Sequence, residues 1–277
     1  MAAPAVRRPA VSGRFYPDSR EQLEREVRGL ITPVLPFSHA ATARAAIVPH
    51  AGYVYSGVTA ALVFARLQLP RLIVILAPNH TGRCEAPGGV SLWEAGAFET
   101  PLGPVPVDAP LADAIRSACP LVGVDHDAHR DEHAIEVELP FIQVRRPDAA
   151  IVPLVLAWDD WERARTLGEA VASVVRRSSE PILLLASSDL NHYESAPVSE
   201  IKDAQALAAI RDLDGAELLR RCRTERISMC GRAAAATVLA AARALGATTG
   251  EVVDYRHSGW VTGDEERVVG YGGVVIL

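Results

Sequence analysis

Three histidines follow short apolar runs in this chain. His50 comes two residues after Ala45 to Val48, His80 three after Leu72 to Ala77, and His192 six after Ile182 to Ala186. Such runs, rich in Val, Ile and Leu and closed by polar or turn-forming residues, read as buried strands. In open α/β sheets the loops beyond the carboxyl ends of strands bring side chains together around small ligands. Imidazoles gathered there bind metal ions and carry protons near neutral pH. Cys230 adds a sulfur. It precedes Gly231, Arg232 and an alanine-rich run with high helix propensity, which places it at a helix amino terminus. The dipole and free amides there favour the thiolate, as ligand or nucleophile.

The other histidines and cysteines divide by context. Asp125 to His133 puts three imidazoles among four carboxylates. His126 and His129 read as solvated members of a charged loop. His133 leads into Ala134-Ile135-Glu136-Val137-Glu138-Leu139-Pro140, a helical turn with an apolar side, and faces the pocket. His39 and His257 fall in loops and read as structural or exposed. Cys84, Cys119 and Cys222 read as small, partly buried hydrophobes, since Gly82 makes a loop of the i, i+4 spacing between His80 and Cys84. Lys202 is the only lysine and reads as a solvated surface side chain. Tyr53 and Tyr55 supply a phenol or simply pack. Phosphate-loop, dinucleotide, nucleophile-elbow and zinc-protease motifs are absent, and no strained glycine elbow surrounds Ser188.

One further apolar run, Ala150 to Leu156, reads as a buried strand between those that precede His80 and His192. Helices are expected over Arg20 to Ile31, Thr59 to Leu67, Leu111 to Ala118, Asp159 to Arg177, Ser199 to Arg211, Ala216 to Arg221 and Arg232 to Leu245. Two last strands are expected at Glu251 to Tyr255 and Val268 to Leu277, with Gly270-Tyr271-Gly272-Gly273 as a bulge or close backbone contact. Trp93 to Val107 reads as a hairpin or lid. The alternation predicts an α/β fold, with a mostly parallel or mixed central sheet flanked by helices on both faces. A length of 277 residues suits one domain over 1–277. A net charge of −6 lacks the basic surface that binding nucleic acid requires. No apolar run approaches the roughly 20 residues of a membrane span. Four cysteines without C-x-x-C spacing, and an amino terminus broken by Pro and Arg, point to a reducing, cytoplasmic setting.

Taken in order, five motifs resemble the Memo family, whose prokaryotic members are often called AmmeMemoRadiSam system protein B. They are Pro49-His50-Ala51-Gly52-Tyr53, Ala77-Pro78-Asn79-His80, Asp131-Glu132-His133-Ala134-Ile135-Glu136 with Leu139-Pro140, Ser187-Ser188-Asp189 with His192, and Cys230-Gly231-Arg232. The resemblance runs from Gly13-Arg14-Phe15-Tyr16 to the terminal glycine-rich strand. It implies a fold like that of class III extradiol dioxygenases, the LigB-like enzymes that open catechol rings at non-haem iron(II). Carried over by motif, it places a divalent metal on His50, His80 and Cys230, with Asp189, His192 and His133 lining the pocket as catalytic groups. His192 would be acid or base and Asp189 its orienting partner. A thiolate stands where those dioxygenases have a carboxylate. Two imidazoles and a sulfur suit iron(II) first, and also copper or zinc. The implied function is a dioxygenase-like oxidoreductase acting on a small, aromatic substrate; a metal-binding adaptor without turnover and a metal-dependent hydrolase are the alternatives. Proteins of the AmmeMemoRadiSam system are the implied partners. The oligomeric state stays open.

Overall fold

The computed structural model describes residues 5–32 and 43–277; His39 lies outside them. Four parallel strands form the centre of the main sheet: β2 (Ala45–Val48), β3 (Leu72–Pro78), β8 (Ala150–Leu156) and β9 (Ile182–Ser187). Their spatial order is β2-β9-β3-β8, and every residue of all four is buried. That is why they read as unbroken apolar runs: helices cover both faces, and each buried Val, Leu or Ile contributes roughly 1.5–3 kcal/mol. On the β8 side the sheet continues through β4 (Val90–Leu92), antiparallel to β8, and β7 (Val122–Val124). On the β2 side lies β12 (Val268–Ile276), antiparallel to β2 and paired also with β11 (Gly250–His257) and the short β10 (His192–Glu194). The sheet is therefore mixed.

A smaller sheet joins β1 (Val6–Arg7) to the hairpin of β5 (Ala97–Thr100) and β6 (Gly103–Pro106). The expected excursion at Trp93 to Val107 is this hairpin. The three-residue strands β4 and β7 escaped the sequence reading because runs that short carry no periodicity.

Helices α1 (Arg20–Ile31), α2 (Tyr53–Arg66) and α5 (Leu139–Arg145) pack together on one face. The other carries α3 (Ala109–Ala118), α6 (Trp161–Arg177), α7 (Ala196–Arg211), α8 (Gly215–Thr224) and α9 (Arg232–Ala244). Two single turns, α4 (Asp127–Arg130) and α10 (Gly259–Thr262), sit in loops. The amphipathic helices start where a side chain can cap them. Ser19, Asp108, Asp160 and Asp214 each accept a backbone N–H of the first turn, which satisfies a donor that the helix itself cannot. α2 has no such cap: it opens after Gly52, so its start lies six residues before the expected Thr59.

The glycines of β12 serve close packing. A Cβ on Gly272 would meet Leu190 at 2.8 Å and Leu207 of α7 at 3.1 Å, and one on Gly273 would meet Val63 of α2 at 2.6 Å. Helices thus approach this strand from both sides, and the register bulge falls on β11, between Val252 and Asp254. Among the described residues no helix is long and apolar enough to cross a membrane.

Candidate metal centre

Because β2, β9, β3 and β8 run parallel, their carboxyl ends share one edge, and the site is built there. His50 follows β2 and is buried; its backbone N–H donates to Asp189 Oδ1 at 2.8 Å, and its Nδ1 lies 2.7 Å from Ser187 Oγ. His80 follows β3, with its Nδ1 2.8 Å from Glu132 Oε1 and its backbone N–H donating to Glu132 Oε2 at 2.6 Å. His133 comes from the loop after α4 and stacks on His80, with centroids 4.7 Å apart and planes 18° apart. Both rings meet His50 edge-on, at 5.2 and 5.3 Å.

One nitrogen from each of these three imidazoles lies within 4.8 Å of the others, an arrangement that can hold a metal ion. The donor chemistry fits. With Nδ1 of His50 and His80 engaged by Ser187 and Glu132, Nε2 is the atom each has left for an ion. Burial, with the neighbouring imidazoles, holds His50 well below the usual range. Burial likewise takes His133 down to about 4 against the pull of Glu132. Both are neutral at physiological pH, the form that ligates. His80 differs: burial lowers it, but the hydrogen bond and charge of Glu132 prevail and hold it above the ordinary value.

Cys230, expected as the third donor, stands outside the three-histidine group. Its Sγ is 3.4 Å from His50 Nε2 and also accepts the backbone N–H of Asp189 at 3.2 Å. Cys230 and His80 line one open cleft of about 460 Å³, together with Asn79, Trp158, Asp159 and Arg232. The residue does precede α9, as expected, but its thiol is not depressed. Burial first, then the Asp189 charge, push it up, and the amides of Asp189 and Gly231 do not compensate. A Cβ on Gly231 would meet Ser187 O at 2.4 Å, so only glycine lets α9 begin this close to the end of β9.

The expected pairing of Asp189 with His192 is not made. Asp189 turns to the His50 backbone, and burial raises its carboxyl to about 7. His192 Nδ1 is buried without a hydrogen-bond partner, and burial lowers the ring below its usual value. The ring lies near enough to His80 to feel its charge, and near enough to His50 for its own charge to lower that ring. Three further expectations need correction. His129 is buried, not solvated, with Nε2 2.9 Å from the Ser91 carbonyl, because the loop folds back under β4. Lys202 is largely buried; its Nζ donates to Glu194 at 2.5 Å and to the Arg226 carbonyl at 3.1 Å. His257 does not lie in a loop but ends β11, where it is buried. Tyr53 packs, one of the two readings it had, with its hydroxyl donating to the Val137 carbonyl at 2.8 Å, and His126 is part-exposed on Trp93 and bound to Glu94.

Sequence reasoning missed the groups behind the histidines. Ser187 Oγ lies within reach of His50 Nδ1, the Ala134 carbonyl at 2.6 Å and Glu138 Oε1 at 2.9 Å. Glu138 is buried with Oε2 unpartnered, and burial holds its carboxyl well above the usual range. Arg7 is buried in an ion pair with Glu136, which also accepts Ala10 N–H, Val11 N–H and Tyr16 O–H. The only available signal was a charge inside an apolar turn, as at Glu136-Val137-Glu138.

A family model described as Memo-like protein matches residues 7–275. The chain belongs to the Memo family. Its relatives include a MEMO1 family protein of Aquifex aeolicus, 38% identical over 98% of this chain and 99% of that one. A second, from Methanosarcina barkeri, is 37% identical over 98% of this chain and the whole of its own. Among solved structures, uncharacterized protein JW3007 from Escherichia coli K12 matches this Memo-family chain with a TM-score of 0.54 and 14% identity, over 83% of this chain and 98% of that one. At that identity the likeness concerns the fold alone.

Proposed function

We propose that this Memo-family protein is a non-haem metal-dependent oxidoreductase with dioxygenase-like chemistry on a small, aromatic substrate, on a scaffold like that of the class III extradiol dioxygenases. The observation that carries the reading is the convergence of His50, His80 and His133 beside Cys230, at the edge of an open cleft. His50, His80 and His133 would hold the ion from within, and Cys230 from the cleft side. Iron(II) in that seat supplies the one-electron chemistry through which dioxygen reacts with an electron-rich ring.

The remaining steps belong to the chain's own groups. Trp158 and Leu156 line the cleft and present apolar surface to a ring. His192, uncharged at neutral pH because burial opposes its protonation, is the ring we assign to accept a substrate hydroxyl proton. Asp189 holds the His50 backbone in place. The four cysteines are free thiols, which suits the reducing cytoplasm where we place the protein.

Anaerobic purification followed by elemental analysis tests the reading. Stoichiometric iron, with oxygen uptake on adding catechols, is the expected result. Zinc with ester or amide turnover would replace it with hydrolysis. A metal-free, inert protein would leave an adaptor.

A further inference from the structure

The three imidazoles are not held alike. His50 meets a hydroxyl, whereas His80 and His133 share one carboxylate, that of the buried Glu132. Its Oε2 accepts the His80 backbone N–H at 2.6 Å. Its Oε1 faces His80 Nδ1 at 2.8 Å, accepts Ala134 N–H at 3.0 Å and lies 3.6 Å from His133 Nδ1. The backbone of Glu132 is also held: Arg7 Nη2 donates to its carbonyl at 2.5 Å, while Arg7 Nε donates to the His129 carbonyl at 3.0 Å. The carboxylate therefore has little freedom to turn.

We propose that Glu132 is the positioning residue of the metal centre: it holds neutral His80 with the proton on Nδ1, so that Nε2 is bare toward the ion, and it fixes the ring plane on which His133 stacks. The reason is donor arithmetic. A carboxylate only accepts, so a neutral imidazole 2.8 Å away must place its single proton on the facing nitrogen. Such outer partners orient metal-binding histidines and raise their basicity. The proposal rests on the metal-centre reading above, but part of its test does not.

Two measurements decide it. Long-range proton–nitrogen NMR of the metal-free protein, followed with rising pH until the His80 ring has lost its charge, should show Nδ1 protonated and Nε2 bare. Glu132→Gln offers one oxygen where two were used, so cobalt(II) titration should show affinity lower by about 10- to 100-fold, with thermal unfolding confirming that the variant is folded. Wild-type His80 protonated on Nε2, or folded Glu132→Gln binding cobalt within about twofold of wild type, would overturn the role. If Glu132→Gln does not fold, the wild-type spectrum decides. If wild type takes up no cobalt, the metal-centre reading fails, while the spectrum still judges Glu132.

Discussion

Cys230 Sγ lies 3.4 Å from His50 Nε2 across 180 residues of sequence, and it meets the one ring nitrogen that Ser187 leaves free. The contact joins the start of α9 to the end of β2. It is about the spacing of two donors on one ion, given metal–nitrogen and metal–sulfur bonds of roughly 2.0 and 2.3 Å.

If Cys230 is a donor, the cobalt(II) protein should show a sulfur-to-metal charge-transfer band, and Cys230→Ser should lose it along with about tenfold or more in affinity. His50→Ala and His80→Ala should abolish binding while circular dichroism stays native. An unchanged spectrum in Cys230→Ser would confine the site to the three histidines.

His192→Ala should leave metal content intact and lower turnover by about 10²- to 10⁴-fold, the usual contribution of a positioned acid or base. The loss should fall on kcat. Equal turnover in the two proteins would reduce His192 to a structural role.

Arg7 and Glu136 form an ion pair with side chains 1% and 0% exposed. Arg7→Ala leaves a buried carboxylate without its counter-charge, so unfolding in urea should show a loss of about 3–5 kcal/mol. Because Arg7 also holds the Glu132 carbonyl, cobalt affinity should fall with it. A loss below about 1 kcal/mol would mean that the three remaining donors to Glu136 suffice.

Asp203 gives a pH signature away from the metal centre. Burial raises its carboxyl from 3.8 to about 6, although Asn191 N–H and Tyr255 O–H both donate to it. A raised carboxyl binds its proton more tightly in the folded state, so its stabilising contribution is complete below pH 3.8 and is lost as pH rises through about 6. Asp203→Asn does not titrate. Between pH 4 and 7 the variant should therefore gain on wild type by roughly 2–3 kcal/mol, read from paired urea titrations. A difference that stays constant with pH would show that Asp203 is ionised throughout.

Much of the scaffold was legible along the chain. Ala45–Val48, Leu72–Pro78, Ala150–Leu156 and Ile182–Ser187 announce themselves because a strand buried on both faces must be apolar throughout, and His50 and His80 stand out at their ends for the same reason. Of the capped helices, α1 starts at Arg20 as read and α3, α6 and α8 start within two residues of the reading, whereas α2, opening on glycine, starts six residues before it. What only the tertiary structure decided is which partner each polar group takes. His192 makes no bond with Asp189, Glu132 serves two imidazoles, and Arg7 reaches a carboxylate 129 residues away. Local sequence sets the period of apolar side chains, which depends on near neighbours. Hydrogen-bond partners and the desolvation that moves a pKa depend on which distant segments close over a group, and here that closure raises the Cys230 thiol where the helix terminus alone would lower it.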